Sequence, residues 1–310
     1  MSVANFSNLN HGPEAKKVLA KVASFFAGAP IFSLTATNET KTFRHTTTYG
    51  IETIAISGQL LGPLEQGILL QIIATAGRSG KRLLRKNPNG GAPLMLRQLF
   101  PEDAKVPTGV GVVILVSVAR AELLSAAGLA DCEESSAVLV SCLEKLAAVS
   151  FKRGTLASQL ITFRVDDENT ISVALNPLIG AAACLGDRYT GVRLDERQLL
   201  ATQEARLIHA ALSKALWPGD KKLFGSGWLA WAIWQEKNVQ PFSESSLTAA
   251  LDNVLLLQNC GWRVTVEAQS ATIWRPGLGL PPKYGAKSPS HPDYKAPRRR
   301  SVGWASEGAA

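Results

Sequence analysis

The feature of this sequence that most constrains its fold is an order of elements that occurs twice, about 110 residues apart. Residues 246–276 read SLTAALDNVLLLQNCGWRVTVEAQSATIWRP, with an apolar stripe at helical spacing, a turn at Asn259–Gly261 and two alternating runs around a polar AQS. Residues 133–167, EESSAVLVSCLEKLAAVSFKRGTLASQLITFRVDD, have the same order. A period near 3.6 predicts a helix and a period of two predicts a strand. The sequence therefore predicts two copies of one module.

The two copies correspond at both ends. Glu134–Ser136 begins the long helix of the first and Glu244–Ser246 that of the second, while Arg164 and Arg275 close the two hairpins. Shorter helical segments precede them, at residues 120–129 and 227–234. A helix, a turn, a second helix and a hairpin make a winged helix, whose second helix enters a major groove while the hairpin contacts the backbone or minor groove. The predicted fold class is α+β, with two tandem winged-helix domains.

The remaining patterns divide the chain into four regions. A helical pattern around Pro13–Phe26 is followed by a hairpin (HTTTYG and IETIAISG) and by the helix Leu64–Ala76, which ends at Gly77. A strand at Thr170–Leu175 and a helix at Leu199–Leu216, with Thr202 as its N-cap, open the second half. The predicted regions are an N-terminal extension (1–42), winged-helix domain 1 (43–168), winged-helix domain 2 (169–276) and a disordered basic C-terminal tail (277–310).

The net charge of +8 and the pI near 9.4 favour a polyanionic partner, either nucleic acid or an anionic membrane surface. Half of this charge lies in the tail, which has five prolines and little aliphatic periodicity, so we expect it to be disordered. Such a tail either solubilises the protein or holds DNA. Its charged residues are Lys283, Lys287, Lys295, Arg298, Arg299 and Arg300 against Asp293 and Glu307.

A second basic segment is the loop at residues 78–93, RSGKRLLRKNPNGGAP, which has five basic residues. It lacks the G-x-x-x-x-G-K-[ST] pattern of a phosphate-binding loop, because Lys81 is not followed by Ser or Thr. We therefore interpret it as a mobile, DNA-facing loop rather than a nucleotide site.

Other function classes lack their usual sequence signals. No apolar run approaches the length of a membrane span, and the N-terminus does not look like a secretory signal. The four cysteines and four histidines lack disulfide or metal spacing. The acidic cluster Asp166–Glu168 is typical of a turn. We expect a cytoplasmic, non-enzymatic bacterial protein without a metal or cofactor.

The segment between the modules carries a family resemblance. The strand VALNPLI, the run GVRLDERQLLATQEARLIHAALSKALWPG and the closing CGWRVTVEAQSATIWRP resemble the replication initiator family of IncQ-type plasmids, the RepC-like proteins. The section TYGIETIAISGQLLGPLEQGILLQIIATAG is similar to the N-terminal domain of that family. The resemblance covers roughly residues 43–277 and is sharpest at 170–218.

The resemblance implies tandem winged-helix domains and an initiator that binds direct repeats (iterons) in a plasmid origin. It also implies opening of nearby A·T-rich DNA, loading of a plasmid helicase with a primase as a further partner, and self-association. In one respect the sequence departs from the family. The last recognition helix is expected to be basic, whereas Ser243–Cys260 contains no Lys or Arg and includes Glu244 and Asp252.

The residues that we expect to contact DNA are polar or basic residues of the two modules. Asn pairs with adenine, Ser and Thr serve any base edge, and Lys and Arg contact phosphates; each basic residue is otherwise a solvated surface charge. In the first module the candidates are Ser135, Ser136, Lys145, Lys152, Arg153 and Arg164. In and before the second they are Lys221, Lys222, Ser245, Ser246, Thr248, Asn253, Arg263 and Arg275.

Two alternatives remain at this point. A winged-helix transcriptional repressor would bind an inverted operator as a dimer. A winged-helix adaptor would bind proteins and touch DNA only weakly, with a shallow salt dependence.

Overall fold

The computed structural model describes residues 18–34, 41–49, 51–83, 95, 99, 113–154, 156–185, 189–235 and 242–277. In these ranges the chain mixes helices and strands, so the α+β class is confirmed. The helices are α1 (Ser24–Ala27), α2 (Pro63–Ser79), α3 (Arg120–Ala127), α4 (Glu133–Ala147), α5 (Pro177–Leu185), α6 (Leu194–Gln198), α7 (Gln203–Ala215), α8 (Ser226–Trp234) and α9 (Glu244–Leu255), with a 3₁₀ turn at Leu256–Cys260.

The strands form several small antiparallel sheets. Their orders are β1-β10, β2-β3-β6-β7, β4-β5-β9-β8 and β11-β13-β12. The strands are β1 (Leu19–Ala23), β2 (Thr42–Tyr49), β3 (Glu52–Gln59), β4 (Lys81–Leu83), β5 (Val113–Ala119), β6 (Ser150–Arg153), β7 (Leu156–Gln159), β8 (Ile161–Val165), β9 (Thr170–Leu175), β10 (Tyr189–Arg193), β11 (Lys221–Gly225), β12 (Arg263–Glu267) and β13 (Ser270–Trp274).

The apolar side chains form two cores. The first core draws on residues 20–194 and the second on residues 200–273. Residues 169–194, which the sequence assigns to the second domain, therefore pack in the first core. The reason is that β9 is buried almost throughout and pairs with both β5 and β8, as a central strand does.

Helix α2 lies at the centre of the first core because its LEQGILLQIIATA segment is buried on nearly every side. It begins where Glu65 Oε2 accepts a hydrogen bond from the Gly62 amide at 2.9 Å. Gly67 lets α3 approach closely, since a Cβ there would lie 2.3 Å from the Ala126 carbonyl oxygen. The helix continues past the predicted stop at Gly77 to Ser79, because Gly77 lies against the α5 backbone rather than in a turn.

The N-terminal segment was predicted incorrectly. Leu19–Ala23, part of the helix expected around Pro13–Phe26, is strand β1 and pairs with β10. Its alternating burial shows that the pattern has a period of two. The predicted β2–β3 hairpin is confirmed, with Thr42 opposite Gln59 and Tyr49 opposite Glu52.

The second core contains α7, α8, α9 and the sheet β11-β13-β12, around the buried Trp262. The predicted N-cap at Thr202 is confirmed, because its Oγ1 accepts a hydrogen bond from the Ala205 amide at 3.2 Å. The single helix expected at Leu199–Leu216 begins only at Gln203, and the separate helix α6 precedes it.

The two predicted modules share their order of elements but not their strand pairing. In the second module the strand before the helices, β11, pairs with the hairpin strand β13. In the first module the corresponding strand β5 pairs with β4 and β9, while the hairpin β6–β7 joins β3. The first hairpin turns at Gly154 and ends at Gln159, and beyond the buried Leu160 the chain enters β8 of another sheet. Arg164 therefore lies on β8 and not on the first hairpin, which corrects the prediction.

Buried polar contacts join the two cores. Arg197 of α6 donates to Gln66 Oε1 at 2.8 Å, to the Pro63 carbonyl at 3.2 Å and to the Arg206 carbonyl at 2.7 Å. Burial lowers the pKa of Arg197 to about 9, so it stays charged near neutral pH. Because α2 belongs to the first core and α7 to the second, this guanidinium fixes one core against the other.

Candidate nucleic-acid interface

An open groove runs over the outer face of the sheet β2-β3-β6-β7. The inner face of this sheet carries core residues, and the outer face carries small or polar side chains in cross-strand rows. One row places Arg44 beside Ser57 and Ser150, and the next places Ala55 beside Lys152. The groove has a volume of about 830 Å³ and is closed on one side by the end of α4. Most of its lining side chains are small or polar.

The groove is positively charged. Arg44, Lys145 and Lys152 line it, against the single carboxylate of Glu144 among the lining residues. Lys145 Nζ lies 3.1 Å from Glu65 Oε1, but its side chain is 47% exposed and remains open to an anion. Lysine and arginine side chains around a shallow polar surface suit the phosphates of a nucleic acid. The structure thus brings two predicted residues, Lys145 and Lys152, into one site.

Arg44 belongs to this site and is absent from the sequence-based list. Its signal was present, because the alternation of TFRHTTTY places Arg44 with Thr42, Thr46 and Thr48 on the polar face of β2. The partner strands of that face could not be deduced from β2 alone, so nothing in the sequence connected Arg44 with Lys152.

The sheet β11-β13-β12 (the second sheet) carries a second group of exposed cations. Lys221, Trp274 and Arg263 lie side by side across β11, β13 and β12. The Arg263 guanidinium stacks over the Trp274 ring, 4.8 Å from its centroid. Lys222 Nζ lies 5.5 Å from the centroid of Phe224. Of the predicted cations in this module, Lys221, Lys222 and Arg263 are exposed.

The exposed faces of the two long module helices are acidic. Glu133, Glu134 and Glu144 are exposed on α4, and Glu244 and Asp252 on α9. A backbone hydrogen bond at the helix start lowers the pKa of Glu134, which keeps that carboxylate ionised. Such faces repel phosphates, so among the described residues the attraction comes from the cations of the two sheets and from Lys145 at the end of α4.

The serines and the threonine that were expected to contact DNA differ in how far they are buried. Ser135 is buried, with its Oγ 3.1 Å from Cys132 Sγ, and cannot reach DNA, which corrects the prediction. Ser136 is half-buried, accepts a hydrogen bond from Arg120 at 2.9 Å and donates to the Cys132 carbonyl. Ser245 and Thr248 are exposed on α9, and Ser246 is half-buried. Ser243 Oγ lies 2.9 Å from the hydroxyls of both Ser245 and Ser246.

Three further predicted residues have structural contacts. Arg275 is buried and donates to the Ser213 and Leu216 carbonyls at 2.8 and 2.9 Å, so its assignment as a phosphate contact is wrong. The Asn253 amide accepts from Thr202 at 2.6 Å and donates to a carbonyl within α9, so it holds α7 to α9. Arg164 pairs with Asp166 at 2.6 Å on the β8 sheet.

Arg153, the last of the predicted residues, lies at the end of β6 and pairs with Glu52 of β3. Both side chains are partly exposed, so the pair is a surface contact that crosses the sheet. Such a pair adds little stability, and its arginine can exchange the carboxylate for a phosphate.

Most of the excess positive charge lies outside the described residues. The described ranges hold 19 of the 33 basic and 17 of the 25 acidic residues, which leaves a net charge of +2 out of +8. The predicted basic loop lies outside these ranges from residue 84 onwards, and so does the predicted tail from residue 278.

The described part of the chain also bears on metal binding and on membrane insertion. No group of three or more His, Cys, Asp or Glu side chains is arranged to hold a metal ion there. None of the described helices is both long and apolar enough to cross a membrane.

A protein-family model that matches most of the chain identifies the family. A family model described as Replication protein C (RepC) matches residues 39–276. The chain belongs to the replication protein C family. This membership places it among replication initiator proteins, which agrees with the resemblance found in the sequence.

Solved structures give a weaker likeness. A crystal structure of selenomethionine derivatives of domains 2 and 3 of RctB is similar with a TM-score of 0.47 and 9% identity, covering 81% of this chain and 98% of that one. A second crystal structure of RctB domains 2–3 has a TM-score of 0.45 and 7% identity, covering 82% of this chain and 97% of that one. No protein with a curated function matches the chain significantly.

Proposed function

We propose that this protein is a plasmid replication initiator that binds direct repeats in double-stranded origin DNA through two winged-helix modules. The observation that carries the proposal is the cationic groove of Arg44, Lys145 and Lys152 beside a helix–helix–hairpin module, in a member of the replication protein C family. The second module supports it, because α8, α9 and the sheet β11-β13-β12 follow the element order of a winged helix.

In this proposal the cations of the groove and of the second sheet provide affinity, and exposed side chains of α9 recognise the base sequence. Groove cations and the cations of the second sheet neutralise phosphates and release counterions, which gives affinity without sequence preference. Ser245 and Thr248 are exposed on α9 and reach base edges, where hydroxyls serve as donors or acceptors. The acidic neighbours Glu244 and Asp252 reject misplaced phosphates and so favour a single register.

Binding at several repeats is followed, in the same proposal, by opening of A·T-rich DNA at flexible steps nearby. The initiator then recruits a plasmid helicase and a primase and is regulated by self-association. It works as a cytoplasmic protein without a catalytic step of its own. The basic tail adds affinity for DNA that does not depend on sequence.

The groove is tested with Arg44→Gln and Lys152→Gln, singly and together, in the full chain. Duplex affinity is measured by anisotropy at four salt concentrations. Each change should weaken binding to every duplex and reduce the slope of log K against log salt by about one. Arg164→Gln is the matched control, because it removes the same charge on β8, outside the groove. An unchanged salt slope in the double variant would show that the groove does not contact DNA.

The acidic faces of α4 and α9 favour one second candidate, an adaptor that binds basic protein surfaces. The salt series separates the two, because an adaptor makes few phosphate contacts and has a shallow slope.

A further inference from the structure

The tryptophans of this chain are concentrated in its second module. Six of the seven lie within residues 217–274. Trp262 is buried in the second core, whereas Trp217 is 57% exposed. Exposed tryptophan is unfavourable for a folded chain in water, because its large apolar ring gains free energy by leaving the solvent. The exposed ring is therefore available to a ligand if neighbouring side chains complete a site.

The outer face of the sheet β11-β13-β12 combines aromatic, aliphatic and basic side chains. Its first row is Lys221, Trp274 and Arg263, and its second row is Leu223, Thr272 and Thr265. Leu223 is 58% exposed. Trp217 begins the turn that leads into β11, and the backbone of that turn is bonded to the end of β13 through Arg275. We call the set Trp217, Lys221, Leu223, Arg263 and Trp274 the platform.

The platform is not required by the core. The inner face of the same sheet already supplies the apolar residues Phe224, Val264, Ala271 and Ile273. Strands alternate their side chains between two faces, so the outer face of a solvated sheet is ordinarily polar. Here it carries a tryptophan held under a guanidinium and a largely exposed leucine instead.

We propose that the platform is a binding site for single-stranded DNA. Unpaired bases stack on aromatic rings and on arginine planes, and flanking lysines hold the backbone. Arg263 and Trp274 form such a stacked pair, Trp217 adds a second ring, and Lys221 provides a cation at the opposite edge of the row. The β-hairpin tip contributes one carboxylate, Glu267, two positions along β12 from Thr265.

Single-stranded DNA fits this chemistry better than duplex DNA or a protein. In a duplex the base faces are stacked on each other and cannot cover a ring, so only the cations of the platform would be used. A protein partner with an acidic surface would use the cations and would cover the rings, but it would not need bases that stack on the guanidinium plane, and the comparison of single strand with duplex tests for that stacking. Unstacked bases on a phosphate backbone use the rings, the stacked guanidinium and the lysine together.

This activity goes beyond duplex repeat binding. It shares the cations of the second sheet with duplex binding, but it adds the aromatic rings and does not use the groove. Origin opening, which the proposed function includes, would supply the single strand. The platform would then hold one strand apart from its complement. The two proposals fail separately, because one is measured with single strands and the other with duplexes.

The test uses the full-length protein and fluorescein-labelled 20-mers, one of dT and one duplex of mixed sequence, with anisotropy as the readout. Trp217→Ala and Trp274→Ala should each weaken binding to the single strand about ten-fold or more. Trp274→Phe, which keeps a ring, should restore most of the affinity. Duplex affinity should change less than about two-fold in all three variants, because rings do not contact stacked bases.

Ile51→Ala serves as the control for loss of an exposed apolar side chain, because Ile51 is fully exposed in the β2–β3 turn. It should leave both affinities unchanged. Trp217 is exposed, so its removal should not unfold the second module, and a thermal melt of each variant checks this. Unchanged single-strand affinity in a folded Trp217→Ala variant would overturn the proposal, as would an equal loss for single strand and duplex.

Discussion

At the scale of single residues, the buried polar groups determine how stability depends on pH. His209 is buried, and its Nε2 donates to Glu196 Oε2 at 2.9 Å, while Trp262 Nε1 donates to the same oxygen at 2.9 Å. Burial lowers the pKa of His209 and outweighs the attraction of Glu196. Burial opposes ionisation of Glu196, but the hydrogen bonds from His209 and Trp262 prevail and lower its pKa.

Both pKa shifts predict that the folded protein loses stability as the pH is lowered. The unfolded chain binds protons at His209 near pH 6.5 and at Glu196 near pH 4.5, whereas the folded chain binds them only at lower pH. The free energy of unfolding should therefore fall as the pH is lowered below 6.5. Urea unfolding at pH 7.5, 6.0 and 5.0 measures this fall. His209→Gln should reduce the dependence between pH 7.5 and 6.0, and an unchanged dependence would contradict the assignment.

Arg275 gives a second prediction at this scale. Its guanidinium donates to three backbone carbonyls, of Ser213, Leu216 and Gly191. Arg275→Met leaves them unpaired and should lower the free energy of unfolding by about 2–4 kcal/mol. Arg263→Met removes an exposed, stacked arginine and should cost about 1 kcal/mol or less. Equal losses in urea unfolding would show that Arg275 has no special structural role.

At the scale of elements, the close approach of α2 and α3 is the most sensitive contact that the structure identifies. Gly67→Ala should lower the free energy of unfolding by about 1–3 kcal/mol, because its Cβ would lie 2.3 Å from the Ala126 carbonyl oxygen. Gly227→Ala in α8 meets no atom within 4 Å and should be neutral or stabilising. Chemical denaturation of the two variants measures the difference; a neutral Gly67→Ala would mean that the helices separate easily.

The helices and strands also differ in how well the sequence predicts them. Elements with a strong local period, such as the β2–β3 hairpin, α4 and α9, were predicted because local spacing determines them. The partners of β5 and β9 were not, since their apolar runs fit any central strand and pairing is a tertiary choice. The same limit applies to the groove. Lys145 and Lys152 belong to one predicted module, whereas Arg44 lies on β2, and the sequence does not show that β2 and β6 belong to the same sheet. Arg275 was misassigned because a strand end does not reveal burial.

At the scale of the whole molecule, the charge is unevenly distributed. The described ranges carry a net charge of +2, and the remaining +6 lies in segments such as residues 84–94 and 278–310. Removal of residues 278–310 should therefore weaken binding to any duplex and reduce its salt dependence, because fewer counterions are released. The ratio of affinities for repeat and scrambled duplexes should be retained, because the residues that we propose to read the sequence, Ser245 and Thr248, lie on α9. A salt titration of the truncated chain with both duplexes measures the salt dependence and the affinity ratio. Equal affinities for the repeat and scrambled duplexes would mean that the tail provides the specificity.

The central claim is that this member of the replication protein C family reads direct repeats. The most direct measurement is a binding titration, at one fixed salt concentration, with a duplex of the direct repeats beside its own gene and with a scrambled duplex of equal length and composition. The account predicts an affinity for the repeats at least about 1,000-fold higher, as for specific DNA binding in general. Equal affinity for the two duplexes would contradict it.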